Sequence, residues 1–181
     1  MRIAILGWGS LIPCPGELSI RGGWNLDGPI LRIEFSRKSS DGRLTLVIDA
    51  ARGSEVTTQY AESTFENLHE SVENLRRREG TTQENIGVCS RRAGETRVKN
   101  HREVIPVITE WLVQSRFDAV IWTDLTGQFG PASRTEFLES AFNYLDGLPE
   151  ICKANARDYI NRAPQQTQTA LRRDLKSKGW L

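Results

Sequence analysis

Apolar and polar positions change period several times along the chain, and each change marks an element. Ile3-Ala-Ile-Leu6 is continuously apolar, the pattern of a buried strand, and it runs into Gly7-Trp8-Gly9-Ser10. Pro13 and Pro15 forbid an immediate helix, and Gly16, Gly22, Gly23, Gly28 and Pro29 predict a long irregular connection reaching to about residue 29. Residues 30–37 alternate at period two, Ser40-Asp41-Gly42 supplies a turn, and Leu44–Asp49 follows, so a hairpin is predicted there. Val56–Ala61 is β-branched and reads as a further strand. Ser63 with Glu66 has the form of a capping box, which predicts a helix from Thr64. Phe65, Leu68, Val72 and Leu75 line one face of that helix, and Glu79 and Gly80 end it.

Helical spacing dominates the second half. Asn100 with Glu103 is a second candidate cap, ahead of the apolar stripe Val104, Val107, Ile108, Trp111 and Leu112, with Pro106 tolerated near the first turn. Asp118–Asp124 reads as a strand and Thr126–Pro131 as a loop. Ser133 with Glu136 caps a third helix, whose apolar face carries Phe137, Ala141, Tyr144 and Leu145 and which ends near Gly147. A weaker helix over 167–179 is polar enough to be expected on the surface. Strands early and helices late predict an α+β fold.

Composition narrows this picture. With 181 residues and 38% hydrophobic content, one domain spanning 1–181 is expected, because two halves would struggle to bury a core. Twenty-four basic residues against 23 acidic ones leave a net charge of +1, which argues against a global field for nucleic acid or membranes. Cys14, Cys89 and Cys152 are odd in number and far apart, without Cys/His spacing, so neither a disulfide framework nor a metal site is expected. No run approaches the ~20 apolar residues of a membrane span. A soluble, unprocessed cytoplasmic protein is the expectation.

Several chemistries fail on spacing. The strand and Gly7-Trp8-Gly9 begin like a G-x-G-x-x-G dinucleotide fingerprint, yet Ile12 stands at the third glycine, and Pro13 and Pro15 prevent the helix that would hold a pyrophosphate. There is no GxxxxGK[ST] phosphate loop. Ser10 is not in a G-x-S-x-G elbow and has no evident base among His69 and His101. What remains is a glycine turn whose backbone N–H groups can approach a ligand, together with Glu79. That carboxylate continues the apolar stripe of its helix, so it faces the core, where burial raises a carboxyl toward a pKa at which it both takes and gives a proton. The alternative is a helix-end charge paired with Arg76, Arg77 or Arg78. Glu34 lies among Ile33 and Phe35 with Arg37 nearby; an ion pair is its simplest explanation, and a place in a pocket the alternative.

These residues resemble the gamma-glutamylcyclotransferase-like superfamily. The family's Tyr-Gly-Ser loop is matched by Trp8-Gly9-Ser10-Leu11, and its glutamate by Glu79 in Leu75-Arg-Arg-Arg-Glu79-Gly80. Residues 2–12 and 56–80 carry most of the resemblance. It implies a small mixed β-barrel with helices packed outside, residues 101–181 being a helix-rich C-terminal extension. It also implies a reaction: the α-amino group of a γ-glutamyl amide or dipeptide attacks its own γ-carbonyl, closes the lactam and releases 5-oxoproline. Glu79 would be the general acid/base, and Gly7, Trp8, Gly9, Ser10 and Leu11 would hold a small amino-acid-like substrate, with no metal, nucleotide or other cofactor. Two departures stand out. Trp8 replaces the usual Tyr and removes a hydroxyl, and Ile86–Arg92 replaces a Tyr-rich segment.

A competing reading is a non-catalytic sensor or macromolecule-binding module on the same fold. It draws on the stretch Arg76–Arg102, where eight basic side chains face Glu79, Glu84 and Glu95, an excess of five. That stretch lacks the aromatic groups of a nucleic-acid platform.

Overall fold

The computed structural model describes residues 1–130 and 133–181. Pro131, at the end of the expected 126–131 loop, lies outside the described residues. Among the described residues nine strands are formed in chain order, β1 (Ile3–Gly7), β2 (Ile20–Asn25), β3 (Ile30–Lys38), β4 (Leu44–Ile48), β5 (Ser54–Thr57), β6 (Gln59–Ser63), β7 (Ile86–Ser90), β8 (Glu95–Arg97) and β9 (Ala119–Thr123). Five helices accompany them: α1 (Leu68–Glu79), α2 (Ile105–Gln114), α3 (Arg134–Asp146), α4 (Glu150–Arg162) and α5 (Ala170–Ser177). The mixed α+β class is therefore as the pattern predicts. The chain forms two compact units, each made of three segments: 1–7, 14–30 and 57–125 in the first, and 8–13, 31–56 and 126–181 in the second.

The first unit is built on a six-stranded sheet in the order β2-β6-β1-β9-β7-β8. β1 runs antiparallel to β6 and parallel to β9, with Ile5 opposite Ile121. β1 and β9 are central, and Ile3–Leu6 and Ala119–Trp122 are buried on both faces, which is why their sequences are continuous rather than alternating apolar runs. The barrel implied by the resemblance is not formed. Among the described residues this sheet stays open, with β2 and β8 as its edges, and β3, β4 and β5 make a separate three-stranded sheet.

Local chemistry explains where boundaries fall. α1 starts at Leu68 rather than Thr64, because Ser63 remains in β6 opposite Ile20 and its hydroxyl pairs with Ser71 at 2.9 Å. Asn67 takes over as the cap, its side chain accepting from the amides of His69 and Glu70. Gly80 ends the helix at φ 59°, a left-handed conformation that suits glycine. The long connection before residue 29 contains β2. The run Val56–Ala61 breaks at Thr58, whose amide and hydroxyl both donate to the Pro29 carbonyl. Asn100 caps no helix: its side chain donates to the Asp124 carbonyl, and a 3-10 turn over Arg102–Val104 precedes α2. Pro106 does sit in the first turn of α2.

The second unit holds the order β4-β3-β5 with α3, α4 and α5. α3 carries the expected reciprocal capping box between Ser133 and Glu136. α5 is not the surface helix that its polarity suggested. Ala170, Leu171 and Leu175 are buried, a stripe narrow enough to be hidden by the charged residues between.

Candidate functional site

Glu79 is the last residue of α1, the helix packed on β9 and β7 in the first unit. Its side chain is only 15% exposed, and its Oε1 accepts from Arg78 Nη1 at 2.7 Å. Burial raises its pKa above the ordinary carboxylate value, while the Arg78 charge and the nearby Thr123 hydroxyl pull the other way. The Thr123 hydroxyl is itself buried and short of full hydrogen-bond geometry with any group. Arg78 is held in turn by the carbonyls of Cys14 and Pro15. Arg76 and Arg77, the other candidate partners, turn to Glu73 instead. Glu79 is thus both paired and desolvated, so the two readings of the sequence describe one group.

Thr123 fixes where this carboxyl lies along the sheet. The parallel register of β1 and β9, carried two places beyond Ile5 and Ile121, brings Gly7 level with Thr123. Glu79 therefore stands at the C-terminal ends of the two central strands.

The turn itself, Trp8–Pro13, belongs to the second unit. The Trp8 indole is buried, its Nε1 donates to the Leu46 carbonyl at 3.3 Å, and its own carbonyl accepts from Thr167 Oγ1 at 3.0 Å. Its side chain serves the interior of that unit. The Ile12 amide donates to the Gly9 carbonyl at 3.1 Å and closes a turn over Gly9–Ile12. A Cβ on Gly9 would lie 3.3 Å from Leu46 Cδ1, so glycine permits the close packing there. Ser10 is half-buried and Leu11 buried.

Glu34 and Arg37 do not form the ion pair their spacing suggested. Glu34 is fully buried, and its carboxylate accepts from the amides of Phe35 at 2.9 Å, Ala170 at 3.0 Å and Leu171 at 3.4 Å. It therefore caps the N-terminus of α5, where backbone donors and the helix dipole favour a negative charge. Desolvation nevertheless raises its pKa, opposed by Thr169 and these amides. Arg37 instead donates to the Thr126 carbonyl at 3.1 Å.

A second ionisable cluster, which no spacing in the sequence suggests, lies one residue beyond Thr123. Asp124 is fully buried; its Oδ1 is 2.7 Å from His101 Nδ1, and its Oδ2 accepts from the amides of Lys99 and Asn100. The polar pair Thr123-Asp124 closing an otherwise apolar strand is the one sequence signal for both clusters. On sequence alone Trp122 with Asp124, at the end of a strand, is a candidate lining for a pocket. The partners of Asp124 pin the segment that leads into α2.

Five of the eight basic side chains in the stretch have acidic partners. Arg76 and Arg77 pair with Glu73, Arg78 with Glu79, Arg97 with Glu95 and Lys99 with Glu84. Among the described residues no group of three or more His, Cys, Asp or Glu side chains is placed to hold a metal. No helix of the described chain is long and apolar enough to cross a membrane. Compared with known proteins, the chain matches no family model, no curated protein and no solved structure.

Proposed function

We propose that the chain is a gamma-glutamylcyclotransferase-like enzyme in which Glu79 is the general acid/base. One observation carries the reading: a desolvated glutamate, raised in pKa, stands at the C-terminal ends of the central strands β1 and β9. The chemistry asks little more of the protein than placement and a proton shuttle. As carboxylate, Glu79 removes a proton from the substrate's α-ammonium. The freed amine attacks the γ-carbonyl carbon and forms the C–N bond of a five-membered ring. The tetrahedral intermediate collapses by breaking the original γ-amide C–N bond; the leaving nitrogen takes the proton from Glu79, and the second proton on the ring nitrogen passes through the same carboxylate to the released amine, which departs as an ammonium. The products are 5-oxoproline and an amine or amino acid. In this reading the turn Gly7–Leu11 holds the substrate, as the resemblance implies.

The two influences on Glu79 suit a group that must work in both directions. The Arg78 charge favours the carboxylate that acts as base, and burial favours the protonated form that serves the leaving amine. The base must be ionised in the free enzyme, so activity is expected to rise with pH along a limb set by Glu79 and displaced upward from its ordinary carboxylate value.

The test is incubation with a panel of γ-glutamyl dipeptides and γ-glutamyl amines, followed by the appearance of 5-oxoproline. Glu79→Gln is expected to lower the rate by roughly 10²–10⁴-fold, the usual contribution of a positioned acid/base, with circular dichroism unchanged. Absence of product with every member of the panel, or full activity in the variant, would sink the reading. A panel member that raises the melting temperature and is recovered intact would point to the sensor instead.

A further inference from the structure

On the first unit, Tyr60 of β6, Trp111 of α2 and Phe117 beyond it form an aromatic cluster, with the Tyr60 ring 5.2 Å from Trp111 and 5.4 Å from Phe117. These rings wall an open cavity of about 470 Å³ that also takes in Asp27, Gln114 and Arg116. That volume falls in the range of small-molecule sites, where an apolar wall carries a few placed polar groups. The polar groups here are of opposite sign. Burial raises the Tyr60 hydroxyl pKa, the Asp27 carboxylate, within hydrogen-bonding reach of that hydroxyl, adds to the rise, and the Arg116 guanidinium opposes it; all three line the one cavity.

Neither charge is spent on the other. Asp27 forms no ion pair among the described residues, and Arg116, 61% exposed, touches Glu62 through one nitrogen at 3.3 Å. The position of Asp27 is built in, because its backbone carbonyl accepts from Trp111 Nε1 at 2.9 Å and so ties its loop to the rings. Arg116 and Phe117 precede β9, whereas Glu79 meets Thr123 at the far end of that strand. The cavity is thus separate from the Glu79 site and does not depend on the acid/base reading.

We propose that this cavity binds a free α-amino acid with an aromatic or large apolar side chain, its ammonium on Asp27, its carboxylate on Arg116 and its side chain against Tyr60 and Trp111. A zwitterion satisfies both charges at once and adds no net charge to the site. A ligand with only one of them leaves the other charge unmatched. The aromatic wall then selects among amino acids by the apolar surface offered to it.

Titration of the ¹⁵N-labelled full chain with L-phenylalanine, L-tyrosine, L-leucine and L-methionine tests this, read at the Trp111 indole N–H, assigned through Trp111→Phe, and by calorimetry. Saturable movement of that resonance is expected below about 10 mM for at least one of the four, a weak-site affinity. Phenethylamine and 3-phenylpropionate, each carrying one charge, are expected to bind at least roughly tenfold more weakly than L-phenylalanine, as is L-phenylalanine to Asp27→Asn or Arg116→Gln, the loss of one charge-assisted contact. Arg21→Gln removes another partner of Glu62 outside this cavity and is expected to leave binding unchanged. No movement with any of the four amino acids overturns the proposal. So do single-charge ligands that bind as tightly as the amino acid, or an Arg21→Gln loss equal to that of Arg116→Gln.

Discussion

Glu34 and Glu79 are both drawn out of water, and their partners separate their roles. Glu34 is held by three backbone amides, which have fixed positions and no proton chemistry. Glu79 has one side-chain cation, Arg78, as its ion-pair partner, and desolvation raises its pKa. Glu34→Gln would set an NH₂ group against amide donors, and a loss of about 1–3 kcal/mol in urea-unfolding stability is expected from the unmet donors. The pH dependence has a definite sign. Burial raises the folded Glu34 pKa above its unfolded value, so the native state holds that proton more tightly. The stability of the wild type relative to Glu34→Gln is expected to be greatest below about pH 4 and to decline as pH rises through the raised folded value. A difference that grows toward neutral pH would contradict this assignment. At this scale the sequence is legible where a period points inward: the helical stripe places Glu79 in a desolvated position. Two of the three partners of Glu34 are not legible, because they are amides 136 and 137 residues away.

Elements are readable where their own chemistry is local. Gly80, the Ser133–Glu136 box, the Asp41-Gly42 turn and Pro106 act within a few residues, and each is where its sequence suggests. The start of α1 departs from the expected one because two caps compete, Ser63 and Asn67, and sheet pairing of Ser63 with Ile20 decides for Asn67. β7 is hidden in the sequence since Gly87 interrupts its apolar run, and α4 since it buries only Ala156 and Ile160 while leaving Ile151 exposed. Gly87 is there for packing, because it lies opposite Trp122 in the β7–β9 pair and a Cβ would collide with the fully buried indole. Urea unfolding is expected to show Gly87→Ala weakened by about 1–3 kcal/mol through overpacking, and Asn67→Ala by about 1 kcal/mol through the lost cap. If Gly87→Ala is neutral, the strand pair tolerates more movement than its packing implies.

Over the whole molecule, the α+β class follows from strands early and helices late, but closure into a barrel does not. Sheet order depends on pairings such as β1 with β9, and no local pattern encodes a contact across more than a hundred residues. The three cysteines are free thiols, Cys14 exposed, Cys152 half-buried and Cys89 buried in β7. Titration with a thiol reagent is expected to modify Cys14 rapidly in the native protein and Cys89 only on unfolding, with the melting temperature unchanged by reductant; a reductant-sensitive melt would contradict the free-thiol assignment. The parallel pairing of β1 with β9 has a further consequence for synthesis on the ribosome. β1 is made before both of its neighbours and gains β6 early, yet its other edge has no partner until Ala119–Thr123 has emerged. For the whole interval between those strands a nascent chain carries an apolar strand with one open edge, the condition that invites pairing with a neighbouring chain. Translation stalled before residue 119 should leave that edge exposed, and the later stages of synthesis, rather than the first, decide whether the oldest strand is safe.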